Sequence, residues 1–374
     1  MTGWEPLLRA SVLGVGGYSP GVSGAETKAR LGLDQVVRLN WNESLFGPLP
    51  GVIEETAADL EAGAWSYPEG SYDDLRAALA AWTGTSPAQI VPGHGIQALT
   101  LALCTAFLEP GDAVVIPRPT YGLYAQACSV AGAAVHRVDC DASLALDLER
   151  IAEACREHGA KLVWICNPNN PTGLRLDSAA WPDFLDSLPA GCVAVVDEAY
   201  GDYIEPEQRM NTLADVDAGC PVIVLRTFSK IFGLAGLRLG YALVDASLAA
   251  YLNAVHEPFN VNRAALSAGL ASLRRVDLLP ARRAQVRDAR EDLTAPLVQA
   301  GLRCLPSDAN FVLVDLGTDD LPVTEALARD GLLVRPGSEL GLPGYVRVTT
   351  AGNELMELVA EKLVNVVSRE ALAR

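Results

Sequence analysis

The chain has 374 residues, half of them apolar and one fifth charged, so it is long enough to bury a large core with room for a second, smaller unit. Its formal net charge of −17 argues against nucleic acid or an anionic membrane as a partner. Eight scattered cysteines without a Cys-x-x-Cys pair read as reduced core residues, and four isolated histidines lack metal-ligand spacing, so neither a disulfide framework nor a metal is expected.

In chain order, residues 1 to about 35 read as an arm with one short helix and a Gly-rich turn. The arm has no basic region followed by a long apolar run, and no stretch of the chain reaches the roughly 20 apolar residues that span a bilayer. A cytoplasmic protein is the expectation. From 36 to 262, helical patterns alternate with short continuous apolar runs at 113–117, 134–138, 161–166, 192–197, 221–226 and 239–244. Runs of this kind are strands covered on both faces, which predicts an α/β fold with a mainly parallel sheet flanked by helices. Residues 263 to 295 predict a long helical stretch. The remainder predicts strands at 310–316, 331–335 and 345–349 and helices at 321–330 and 352–370. The expected division is an arm (1–35), a large domain (36–262) and a small α+β domain (263–374).

The chemistry concentrates at strand ends. The run Arg226 to Arg238 carries Ser229 and Lys230 out of an apolar strand into a Gly-rich turn. A lysine at the end of a buried strand is poorly solvated, which frees its amine for Schiff-base chemistry with an aldehyde. Ser229 and Arg238 supply a hydroxyl and a planar guanidinium, which suit a phosphate. Aldehyde and phosphate together describe pyridoxal phosphate (PLP). Read alone, Lys230 is equally compatible with a lysine beside a surface loop. Asp197, in Asp197 to Tyr200, ends the run Cys192 to Val196, where an open α/β sheet places its ligands. A carboxylate there can hold the pyridine nitrogen of PLP and keep the ring an electron sink. The strand 161–166 ends in the Pro/Asn turn Asn167 to Gly173, which contains Asn170. Gly95, Ile96 and Gln97 precede an apolar helix, so their backbone N–H groups could hold a phosphate, although an ordinary helix entry has the same pattern.

With these motifs in order, and with Leu39 to Pro48, Tyr67 to Ser71, Pro119 to Tyr124 and Ser307 to Phe311, the chain resembles the fold-type I PLP enzymes of the class I/II aminotransferases. Within them it is most similar to the histidinol-phosphate aminotransferase group. The resemblance implies a large domain on a mainly parallel seven-stranded sheet, with Gly240 to Val244 as its antiparallel strand, and a small α+β C-terminal domain. It implies that Lys230 carries PLP, that Asp197 partners the pyridine nitrogen, and that Asn170 and Tyr200 bond the 3-oxygen. Tyr121 would stack on the ring, and Gly95, Ile96, Gln97, Ser229 and Arg238 would hold the phosphate. Tyr67 would reach the phosphate of a neighbouring subunit, which implies a homodimer with shared sites. Arg347 and Arg335 would anchor the substrate's anionic group, with Tyr18 and Asn42 facing the same pocket. Arg347 stands at the one charged position of an otherwise apolar or small strand and demands an anionic partner on that ground alone.

The activity implied is transfer of an amino group from an L-amino acid or amino-alcohol phosphate, of the histidinol phosphate or aromatic type, to 2-oxoglutarate by a ping-pong mechanism. Lys230 would act as general base and acid. A PLP decarboxylase of the threonine-phosphate type, or a lyase, cyclase or oxidase on the same scaffold, is the alternative.

Overall fold

The computed structural model describes residues 3–17 and 21–372, so the expectation for Tyr18 lies outside the described residues. In chain order the strands are β1 (Val37–Arg38), β2 (Ile90–Gly93), β3 (Ala113–Arg118), β4 (Ala134–Asp139), β5 (Leu162–Cys166), β6 (Val193–Asp197) and β7 (Val222–Thr227). They continue with β8 (Gly240–Leu243), β9 (Arg303–Cys304), β10 (Phe311–Asp315), β11 (Leu332–Leu333), β12 (Arg335–Pro336) and β13 (Tyr345–Thr349).

A seven-stranded sheet runs in the order β2-β8-β7-β6-β5-β3-β4. β8 is antiparallel to both of its neighbours, and the pairs β7/β6, β6/β5, β5/β3 and β3/β4 are parallel. The continuous apolar runs of β5 to β7 have the reason expected of them: both faces are covered. Val163, Ile165, Val196 and Val224 enter the core on one face. Their chain neighbours Leu162, Trp164, Val195, Ile223 and Leu225 enter the core on the other. Each fully buried Val, Leu or Ile of this kind contributes about 1.5–3 kcal/mol relative to exposure. β2 is the strand that apolar runs did not announce. It is short, contains Pro92 and lies at the sheet edge, where a missing N–H is tolerated.

A second sheet, β12-β13-β10-β9, is antiparallel. The helices Leu279–Gln299, Asp320–Arg329 and Asn353–Leu372 pack against it around Leu293, Leu297, Val312, Val314, Val346, Val348, Met356 and Leu363. The predicted single helical stretch from 263 is two helices, Arg263–Leu273 and Leu279–Gln299, separated by the 3-10 turn Val276–Leu278. Pro280 accounts for the restart, since it lacks an N–H and suits a first helical turn. Contacts cross both expected domain junctions. β1 pairs in parallel with β11, and Leu39 lies in the core of the second sheet. Ala265, Ala268 and Ala271 of the helix Arg263–Leu273 lie in the core of the large sheet.

Candidate active site

The carboxyl ends of β5, β6 and β7 open onto a cavity of about 950 Å³. β5 and β6 end level, with Cys166 paired to Asp197, and Asp197 is paired to Leu225 of β7. The chain then turns away, which leaves Asp197, Asn170, Ser229 and Lys230 on the cavity wall.

The Lys230 amine donates a hydrogen bond to the main-chain carbonyl of Asn42 at 2.8 Å and lies 5.3 Å from the centre of the Tyr200 ring. Burial, then the Arg347 cation, lowers the Lys230 pKa from 10.5 to about 7, against the opposing pull of Glu43 and Asp197. At neutral pH much of this amine is therefore unprotonated and nucleophilic. Asn42 holds its carbonyl in place with a left-handed backbone (φ 53) that an Asn tolerates better than most residues. Its N–H donates to Thr349 Oγ1 at 3.1 Å, and its side-chain amide donates to the Tyr200 hydroxyl at 3.0 Å.

Asp197 is buried, and burial pushes its carboxyl up from 3.8 to about 6. Two hydrogen bonds resist that shift: the Tyr124 hydroxyl donates at 2.5 Å and the Ala199 N–H at 2.9 Å. Tyr124 was not among the expected site residues. It belongs to the helix Leu123–Ala131, stacks on Trp164 with ring centres 4.8 Å apart, and meets the edge of Tyr121 at 5.4 Å. The signal available in the sequence was a second tyrosine three residues after Tyr121, the spacing of one helical turn.

A polar chain crosses the cavity. Arg347 Nη1 donates to Asn170 Oδ1 at 2.5 Å, and Asn170 Nδ2 lies 3.5 Å from the Tyr200 hydroxyl. Burial pushes the Tyr200 hydroxyl up. Arg347 Nη2 also donates to the Asn40 carbonyl at 2.8 Å. Arg335 faces Arg347 in register across β12 and β13, and both line the cavity. Thus two strands of the second sheet place two buried guanidinium groups over the ends of the first.

At the opposite wall, Gly95 opens the helix Gly95–Phe107 with φ +74. A Cβ there would stand 2.8 Å from Arg238 Nη2, so the backbone and the guanidinium approach as only glycine permits. Ile96, Gln97, Ser229, Arg238 and Tyr121 line the same cavity. A helix N-terminus, a hydroxyl and an arginine make an anion cradle. The donor set fits PLP: an amine for the aldehyde, a buried carboxylate for the ring nitrogen and a cradle for the phosphate.

Tyr67 is not brought to this cavity. It is 80% exposed and stacks on Phe259 with ring centres 4.6 Å apart. Sequence reasoning did not name Glu43 and Glu339, which line the cavity as its other carboxylates, nor Arg118 and Arg137 at the ends of β3 and β4. Arg118 pairs with Asp139 at 2.6 Å. Among the described residues no group of three or more His, Cys, Asp or Glu could hold a metal ion, and no helix is long and apolar enough to cross a membrane.

Comparison with known proteins gives a consistent result. The family model described as Aminotransferase class I and II matches residues 34–363. The histidinol-phosphate aminotransferase of Symbiobacterium thermophilum is 37% identical over 95% of this chain and 97% of its own. That of Moorella thermoacetica is 36% identical over 92% and 89% respectively. Among solved structures, the histidinol-phosphate aminotransferase of Sinorhizobium meliloti, in complex with pyridoxal-5′-phosphate, superposes with a TM-score of 0.88 at 29% identity, covering 97% of this chain and 98% of that one.

Proposed function

The chain belongs to the class I and II aminotransferases and is a PLP-dependent enzyme, and we propose that its amino donor is L-histidinol phosphate and its acceptor 2-oxoglutarate. The observation that carries the donor is the pair of buried arginines, Arg335 and Arg347, facing each other on the cavity wall. Both substrates bring an anionic group that planar guanidinium groups can grip. The similarity to histidinol-phosphate aminotransferases supports the same donor. It also favours transamination over the decarboxylase, lyase, cyclase and oxidase readings.

When bound, PLP draws electrons from the carbon that bears the amino group. The geometry of the cavity supports the following parts for its residues. Lys230 Nζ would take the proton from the donor's α-carbon and deliver it to the carbon that carried the cofactor's aldehyde, acting as general base and then acid. Asp197 holds the proton of the ring nitrogen, with Tyr124 keeping its carboxylate aligned. Tyr200 and Asn170 would orient the 3-oxygen, and Tyr121 would restrict the ring plane. Gly95, Ile96, Gln97, Ser229 and Arg238 hold the phosphate. Asn42 faces the substrate and keeps the amine in reach. The protein acts as a cytoplasmic homodimer in which Tyr67 serves the neighbouring subunit. The exposure of Tyr67, Trp65 and Tyr251 supports that assembly, and eight free thiols support that compartment.

Single-donor absorbance titration tests the donor. Histidinol phosphate alone should bleach the bound cofactor's band, and 2-oxoglutarate should restore it. Bleaching by phenylalanine but not by histidinol phosphate would replace the donor with an aromatic amino acid. Carbon dioxide release from threonine phosphate, without recovery by 2-oxoglutarate, would overturn the transamination cycle.

A further inference from the structure

Arg335 and Arg347 have different contacts among the described residues. Arg347 donates to Asn170 Oδ1 and to the Asn40 carbonyl. Arg335 Nε is instead 3.1 Å from the carboxylate of Glu339, which lines the same cavity. The guanidinium side chain is 8% exposed and the carboxylate 37%, so the carboxylate lies nearer to solvent and to an incoming ligand.

The pairing is built in rather than a chance contact of long side chains. Glu339 lies on the 3-10 turn Gly337–Leu340, directly after β12. Buried Asp320 pins this turn: Ser338 donates to it through its N–H at 2.8 Å and its hydroxyl at 2.6 Å, and the Gly344 N–H donates at 2.8 Å. A Cβ at position 337 would lie 2.1 Å from the Leu342 carbonyl oxygen, so the turn admits only glycine there. So constrained a turn fixes where the Glu339 backbone stands beside Arg335 and leaves only the side-chain rotamers to be ordered.

We propose that Glu339 is a specificity-determining residue that competes with the substrate for Arg335. A ligand whose single anionic group is a carboxylate can use Arg347 alone and escapes the competition. A ligand with a second anionic group must share Arg335 with a carboxylate already in place and binds more weakly for it. The site thereby bears less net positive charge than its two arginines suggest. Glu339 thus governs how strongly the enzyme prefers doubly anionic ligands over those with an uncharged tail. The inference rests on the reading that both arginines face the substrate.

The test is equilibrium binding of unreactive anions to the PLP-loaded enzyme, followed by the shift in cofactor absorbance. Maleate is the two-anion probe and 3-phenylpropionate the one-anion probe. Because neither probe reacts, a wrong assignment of the natural donor leaves this measurement intact. Glu339→Gln keeps the shape and can still accept a hydrogen bond from Arg335. It should tighten maleate about five-fold and change 3-phenylpropionate less than about two-fold. Glu339→Asp, which retains the charge, should keep the wild-type ratio of the two affinities more nearly than Glu339→Gln does. Equal shifts for both probes in Glu339→Gln would reveal a merely structural effect and overturn the proposal. Weaker maleate binding would also overturn it, by making Glu339 an aligner of Arg335 rather than its competitor.

Discussion

On the proposed cofactor side of the cavity, Asp197 is the last residue of β6 and Lys230 stands in the turn just after β7, so a strand end delivers each side chain. On the substrate side, Arg347 is held by the carbonyl of Asn40, 307 residues away in the chain. Strand ends deliver the side chains of the first wall, with Tyr124 and the Asn42 carbonyl as distant partners, whereas the second wall is tied to the loop after β1. A change on the first wall should therefore act on the chemistry, while a change at Arg347, which touches the first wall through Asn170 and through its charge on Lys230, should act chiefly on binding.

The largest expected effect belongs to the first wall. Lys230→Ala should lower turnover by on the order of a thousandfold or more, with PLP lost on dialysis. Retained turnover would remove Lys230 from the chemistry. Arg347→Ala is next: losing a charge-assisted contact of about 2–4 kcal/mol should raise the apparent substrate constant by roughly thirty-fold or more. PLP retention should be unchanged. If the variant sheds PLP and binds substrate normally, the two walls are not separable as described.

Tyr124→Phe probes the first wall more gently. Without the hydroxyl, the Asp197 carboxyl should move further above about 6, because the Tyr124 hydrogen bond opposes the upward pull of burial. PLP affinity should fall about ten-fold, the cost of one hydrogen bond to a charged group. Release of PLP during dialysis, followed against pH, measures both; an unchanged profile would leave Tyr124 with a packing role only.

The smallest effect is on apoprotein stability. The folded state holds Lys230 with a pKa near 7 against an ordinary 10.5, so the unfolded chain binds more protons between those values. This group should therefore favour the folded state increasingly as pH rises from about 7 toward 10.5. Asp197 has the opposite slope: raised from 3.8 to about 6, it favours folding below that window and loses this contribution as pH rises through about 6. Thermal unfolding of wild-type and Lys230→Met apoprotein across pH 7–10 (a range set by the same pKa shift) should show the wild type gaining on the variant. A constant difference would contradict the lowered amine pKa.

How much of this was legible from sequence follows the same division. Buried parallel strands advertise themselves as apolar runs, so the strand ends bearing Asp197 and Lys230 could be located by composition alone. The turn at Asn170 and the glycine at 95 carry backbone chemistry that few residues can supply. β2 escaped because an edge strand of four residues with a proline has no such run. Tyr124 and Glu339 escaped for a different reason. A tyrosine on a helix and a glutamate on a turn are ordinary surface or core residues until a fold brings Asp197 or Arg335 against them. Arg335 and Arg347 could be suspected singly, but their pairing across β12 and β13 is a matter of register.

The acceptor of the Lys230 amine has an evolutionary consequence. It is a main-chain carbonyl, and every amino acid has one. Substitution of the Asn42 side chain can loosen the local backbone but cannot delete the oxygen. This hydrogen-bond acceptor is thus sheltered from point mutation in a way that a carboxylate partner could never be. Glu339, an ordinary side chain at the rim, has no such shelter. Divergence of substrate preference is open there, while the acceptor of the amine is written into the path of the chain.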